Sequence, residues 1–82
     1  MSENDIAKLR AEIDRLDDRL LAALNRRAAL ARRIGALKGT APAYRPEREA
    51  QVLRRLAAAG RGPLAAERVR AIFREIISAC RA

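Results

Sequence analysis

The stretch IAKLRAEIDRLDDRLLAALNRRAALARRIGALK, residues 6–38, places apolar side chains at 6, 9, 13, 16, 20, 23, 30, 34 and 37. That alternation of three and four residues marks one long helix with a coiled-coil-like seam. One member breaks the series: position 27 holds Arg27. Asn4 or Asp5 is placed to cap the start, and Gly39-Thr40-Ala41-Pro42 supplies a stop. A helix over 5–38 is a rod about 50 Å long at ~1.5 Å per residue. A compact chain of 82 residues is only about 30 Å across. The rod therefore either breaks, near Gly35, or projects and buries its seam against another chain.

Working outward, a loop over 39–45 leads to Pro46, which suits a first helical turn because its missing N–H has no partner there anyway. A second helix over about 46–59 carries Val52, Leu53 and Leu56 on one stripe and ends at Gly60. Gly62-Pro63 then opens a third helix over about 64–81, with Val69, Ile72, Phe73, Ile76, Ile77 and Cys80 at helical spacing. No window alternates as a strand does. The expectation is one all-α domain over 1–82, three helices with the first about twice as long as the others. So short a chain hides only about 60% of the surface its unfolded form exposes, which favours a partner subunit.

Composition removes most kinds of chemistry. Without His there is no imidazole base and no His-ligated metal, and one cysteine, Cys80, makes neither a zinc site nor an intramolecular disulfide. Neither a metal nor a cofactor is expected. The polar, acidic start Met1-Ser2-Glu3-Asn4-Asp5 opens no continuous apolar run, so neither a signal peptide nor a membrane span is expected, and the setting reads as cytoplasmic. The net charge of +8 asks for an anionic partner, although an Arg- and Ala-rich composition alone produces such a total.

Position narrows the choice. A guanidinium in the middle of an apolar seam is paired with an anion, reaches out along its stem to water, or sets a register; buried alone it costs several kcal/mol. Lys38 lies eleven residues after Arg27, within about 20° of the same face and about 16 Å along the axis. The two could grip a small dianion, or Lys38 could simply complement the helix dipole. Arg10 sits on the seam's edge about 25 Å from Arg27, too far to share a ligand within one chain, yet able to meet it in an antiparallel pair. Glu49, beside Arg48 and above Val52 and Leu53, is either an ion-pair partner or an acceptor for a ligand hydroxyl. Glu12, Asp14, Arg15, Asp18 and Arg19 alternate in sign and read as a solvated salt ladder.

The pattern resembles the all-helical chorismate mutases, in particular the mutase domain joined to prephenate dehydratase in bacterial bifunctional enzymes. The matching residues are Leu9-Arg10-x-x-Ile13-Asp14-x-Leu16-Asp17-x-x-Leu20-Leu21, Arg27, Ile34-Gly35-x-x-Lys38, Tyr44-Arg45-Pro46-x-Arg48-Glu49 and Ile72-Phe73-x-x-Ile76-Ile77. The resemblance implies an intertwined helical homodimer with two shared active sites that rearrange chorismate to prephenate, in phenylalanine and tyrosine biosynthesis, without cofactor or covalent intermediate. It implies that Arg27, Arg48 and the partner chain's Arg10 hold carboxylates, that Lys38 donates to the ether oxygen, and that Glu49 accepts from the ring hydroxyl.

Three positions depart from the family pattern. Arg45 stands where some relatives have Asp, which leaves a backbone N–H to make the contact. Cys80 stands where a Ser contributes near a carboxylate. The family's Gln or Glu at the ether oxygen would fall four residues after Cys80, past Ala82. Two other functions stay in view. One is an isochorismate-pyruvate lyase on the same fold. The other is a basic helical dimer that binds nucleic acid, against which the cations spread over all three helices and only Tyr44 and Phe73 could stack on bases.

Overall fold

The computed structural model describes residues 2–39 and 45–81, and its elements are α1 (Glu3–Lys38), α2 (Pro46–Ala59) and α3 (Ala66–Cys80), with no strand among those residues. Tyr44 and the stop residues Thr40 to Pro42 lie outside the described residues.

The first helix starts earlier than the expected cap. Ser2 is the N-cap: its hydroxyl accepts the Asp5 N–H at 3.2 Å, and the Asp5 carboxylate accepts the Ser2 N–H at 3.3 Å. This reciprocal capping box satisfies two otherwise orphaned donors, which is why Asn4 and Asp5 fall inside the helix rather than before it. The helix runs unbroken through Gly35, so of the two expectations for the rod the break is the one that fails. It ends at Gly39, whose φ of +64° is a left-handed conformation that costs glycine little.

The second helix begins on Pro46 as the pattern suggests, and the Glu49 N–H closes its first turn on the Arg45 carbonyl at 3.0 Å. The third begins two residues later than expected. The chain bends over 62–64, and the Ala65 carbonyl takes the Arg68 and Val69 N–H groups at 2.9 and 3.0 Å.

α2 packs on α3 and α3 packs on α1, while among the described residues α1 and α2 do not pack on each other. Among the same residues only Val52 and Ile77, at 6% and 7% exposure, are buried. No residue of α1 is. Its seam stands open along the rod, with Ile13, Leu16 and Leu20 each more than half exposed. The molecule is 57 Å long with a radius of gyration of 16.4 Å, against about 12 Å for a compact chain of this length. Its 6941 Å² of surface exceeds by about 2,000 Å² what a compact monomer of 9.1 kDa presents. The expected salt ladder is absent: Glu12, Asp14, Arg15, Asp18 and Arg19 are exposed, and the one ion pair among the described residues lies elsewhere. Exposed pairs of this kind gain too little to hold two long side chains in place.

Candidate active site

The gap between α1 and α2 is a cleft of about 630 Å³ at the end of the rod. α1 contributes a face at near-integral turns, Arg27, Ala31, Ile34 with Gly35, and Lys38. α2 contributes its first turn, where Arg45 is the N-cap residue and Arg48 and Glu49 follow. α3 contributes its last turn, Ile77, Cys80 and Arg81. Val52 of α2 and Ile77 of α3, the buried side chains, both line the cleft, so the packing of α2 on α3 positions both groups of polar residues.

Arg27, Lys38, Arg45, Arg48, Glu49 and Cys80, six of the seven candidates from the sequence, therefore line one cleft. The seventh, Arg10, does not; it is exposed in the N-terminal half of α1. Arg27 and Lys38 are half-buried. No carboxylate of the described residues pairs with either, so their charge faces the cleft uncompensated.

Glu49 is an ion-pair partner, and its cation is not the adjacent Arg48. The Arg81 guanidinium, from the far end of the chain, grips it with both arms: Nε donates to one carboxylate oxygen at 2.9 Å and an Nη donates to the other. Arg48 instead donates through Nη1 to Gln51 Oε1 at 2.9 Å. Consecutive residues of a helix point about 100° apart, which is why sequence adjacency misled about Glu49's partner. Arg81 and Arg32 also line the cleft and escaped the sequence reading. For Arg81 a signal existed, since it follows the apolar Ile77 by four residues and so shares its face.

The cleft thus presents six cationic side chains, Arg27, Arg32, Lys38, Arg45, Arg48 and Arg81, against the single carboxylate of Glu49. Planar guanidinium groups bind carboxylates with two parallel hydrogen bonds, and Leu30, Ile34 and Val52 give the same space apolar walls. Such a lining fits a small apolar-bodied dianion that also carries a hydroxyl. Among the described residues no three acidic, His or Cys side chains gather as metal ligands, and no helix is long and apolar enough to cross a membrane.

Comparison with known proteins agrees with this chemistry. The family model described as chorismate mutase type II matches residues 9–82. The bifunctional chorismate mutase/prephenate dehydratase of Neisseria gonorrhoeae is 51% identical over 71 residues, 87% of this chain and 20% of that protein. That of Pseudomonas aeruginosa is 43% identical across 98% of this chain and 24% of its own length. The chain thus spans about a fifth to a quarter of the curated relatives it matches. A solved chorismate mutase from Thermus thermophilus superposes with a TM-score of 0.89 at 37% identity, covering 93% of this chain and 98% of that one.

Proposed function

The chain belongs to the type II chorismate mutase family, and on that premise we propose that it converts chorismate to prephenate in the cleft between α1 and α2. The observation that carries the proposal is the convergence of Arg27, Lys38, Arg48 and Glu49, from two helices, on one basic cleft with apolar walls. The reaction is intramolecular: the ether C–O bond breaks as a new C–C bond forms, and no group passes through the protein. The protein's contribution is to hold a flexible substrate in its reactive conformation and to stabilise charge where it develops. Arg27 and Arg48 bind carboxylates. Lys38 donates to the ether oxygen, where negative charge grows as the bond breaks. Glu49 accepts from the ring hydroxyl and so favours the conformer in which the reacting ends meet. Arg45 offers its backbone N–H, and Cys80 packs beside a carboxylate.

The proposal includes a homodimer in which the partner's Arg10 completes each site. The open seam of α1 and the excess of about 2,000 Å² of surface per chain support it, since obligate dimers bury about 2,000–5,000 Å² in total. A cytoplasmic setting completes the proposal, supported by the single free thiol of Cys80, a usage typical of reducing compartments.

The test is an assay offering chorismate and isochorismate separately. Prephenate from chorismate, with no pyruvate released from isochorismate, is the expected result. Pyruvate release from isochorismate alone would replace the mutase with a lyase. Inertness toward both, with tight and steeply salt-dependent binding of a DNA duplex, would move the protein to another class.

A further inference from the structure

Glu49 follows Arg48 directly, yet the structure pairs it with Arg81, 32 residues away in sequence. Arg81 is launched from the best-anchored turn of α3. Its own N–H donates to the Ile77 and Ser78 carbonyls at 3.2 and 3.3 Å, and Ile77 is buried. Its guanidinium occupies one lone-pair site on each Glu49 oxygen. A carboxylate has about four such sites, so the pair leaves acceptor capacity for a further donor. The Glu49 side chain is 20% exposed and that of Arg81 is 41% exposed. The carboxylate is thus the shielded member of the pair and the guanidinium the one reaching in from the rim. Both border the cleft, and both border a second, shallower groove on the far side between α2 and α3. The ion pair is the wall between the two spaces.

We propose that Arg81 is a positioning residue of this site: it holds the Glu49 carboxylate against α3 and leaves it acceptor capacity for a ligand hydroxyl. The inference rests on the mutase reading. Without Arg81 the Glu49 carboxylate keeps no hydrogen bond or ion pair to another described residue. It would then be free to swing away from a ligand hydroxyl, and the acceptor would be lost from its place in the cleft. Lysine at position 81 restores the charge as a point donor without the two-armed geometry.

The experiment measures turnover of chorismate, and calorimetric binding of a bicyclic dicarboxylate that mimics the rearrangement's transition state, for the parent chain, Arg81→Ala, Arg81→Lys, Glu49→Gln and the double variant Arg81→Ala/Glu49→Gln. We expect Arg81→Ala to raise KM about tenfold, below the ~10²-fold that a 1 Å misplacement of a reacting group costs, with a smaller fall in kcat. Arg81→Lys recovers part of the loss. In the Glu49→Gln background, where the charge pair is already gone, Arg81→Ala should cost far less than it does in the parent chain. A purely structural tie lowers the thermal midpoint in both single variants and leaves KM unmoved, which overturns the inference. So does an Arg81→Ala loss that persists in full in the Glu49→Gln background. A parent chain that neither turns over chorismate nor binds the mimic overturns the mutase reading, and this inference with it. A parent that turns over, is slowed by Glu49→Gln and is indifferent to Arg81→Ala overturns the inference alone.

Discussion

The two halves of α1 carry the same open apolar seam and differ in what flanks it. In the first half Leu9, Ile13, Leu16 and Leu20 face open space, each between 46% and 56% exposed. In the second half the seam stays open, Leu30, Ile34 and Leu37 being 41%, 54% and 86% exposed, while beside it Arg27, Ala31, Gly35 and Lys38 are half-buried where α1 meets α3 and the cleft. Periodicity shows which stripe of a helix seeks cover and is silent about what provides it. The junction is covered by this chain; the seam is left for something else. The homodimer proposed above would cover the seam and bring Arg10, the one candidate that the cleft lacks, to the partner's cleft.

The largest effects should come from the residues that join the two halves. Arg10→Ala and Arg27→Ala should each lower kcat/KM by about 10²–10³, the cost of removing one preorganised charge at a reacting centre. In a shared site the two losses complement each other. Random exchange makes half the dimers mixed, and one of the two sites in each mixed dimer carries neither substitution. An equimolar mixture of the two variants should therefore regain about a quarter of the parent activity. No recovery after exchange verified by mass spectrometry of labelled chains would sever Arg10 from the cleft.

A pair of core substitutions sharpens the contrast between cover from within and cover from outside. Ile77→Ala removes a buried side chain and should cost about 2–4 kcal/mol in urea unfolding. Leu16→Ala, at a position 56% exposed in the isolated chain, should cost within about 0.5 kcal/mol if the seam stays open. It should cost about as much as Ile77→Ala if a second chain covers the seam. We expect the latter. The thermal midpoint of the parent should then climb with protein concentration, because association and folding are linked. A constant midpoint, with a monomer mass by light scattering, would leave the seam without a second copy as its cover.

How far the sequence could be read follows from the same contrast. The helices were legible because each is a local pattern: three-and-four spacing in α1, Pro46 at the head of α2, a stripe of six apolar residues in α3. The α1 start was misplaced because the decisive signal was reciprocal; Ser2 outranks Asn4 only once Asp5 is seen to reach back to it. Arg27 and Lys38 stood out as charges on a face periodicity had already defined. Arg81 did not, because its partner lies 32 residues away in sequence, and only the packing of α2 on α3 brings the two together. Arg32 carries no periodic signal at all, since it lies off the seam and enters the cleft from its side.

The smallest effect tests whether the cleft half of α1 is indeed free of a second cover. Gly35 sits in a helix interior, where glycine is about 1 kcal/mol less favourable than alanine. A Cβ built there meets no atom of the described residues within 4 Å. Nothing among the described residues therefore requires glycine, and Gly35→Ala should stabilise the chain by about 0.5–1 kcal/mol, raising the thermal midpoint by roughly 2–8 °C for a domain of this size. The added methyl enters the cleft between the levels of Arg27 and Lys38 without displacing either, so kcat should stay within about threefold, far less than the loss of a charged group costs. A rise in KM alone would place the substrate against the α1 backbone at Gly35. A fall in the thermal midpoint would mean that another surface already lies within a methyl's reach of Gly35. A second chain would then cover the end of the rod as well as its seam, and the difference between the two halves of α1 would be one of degree.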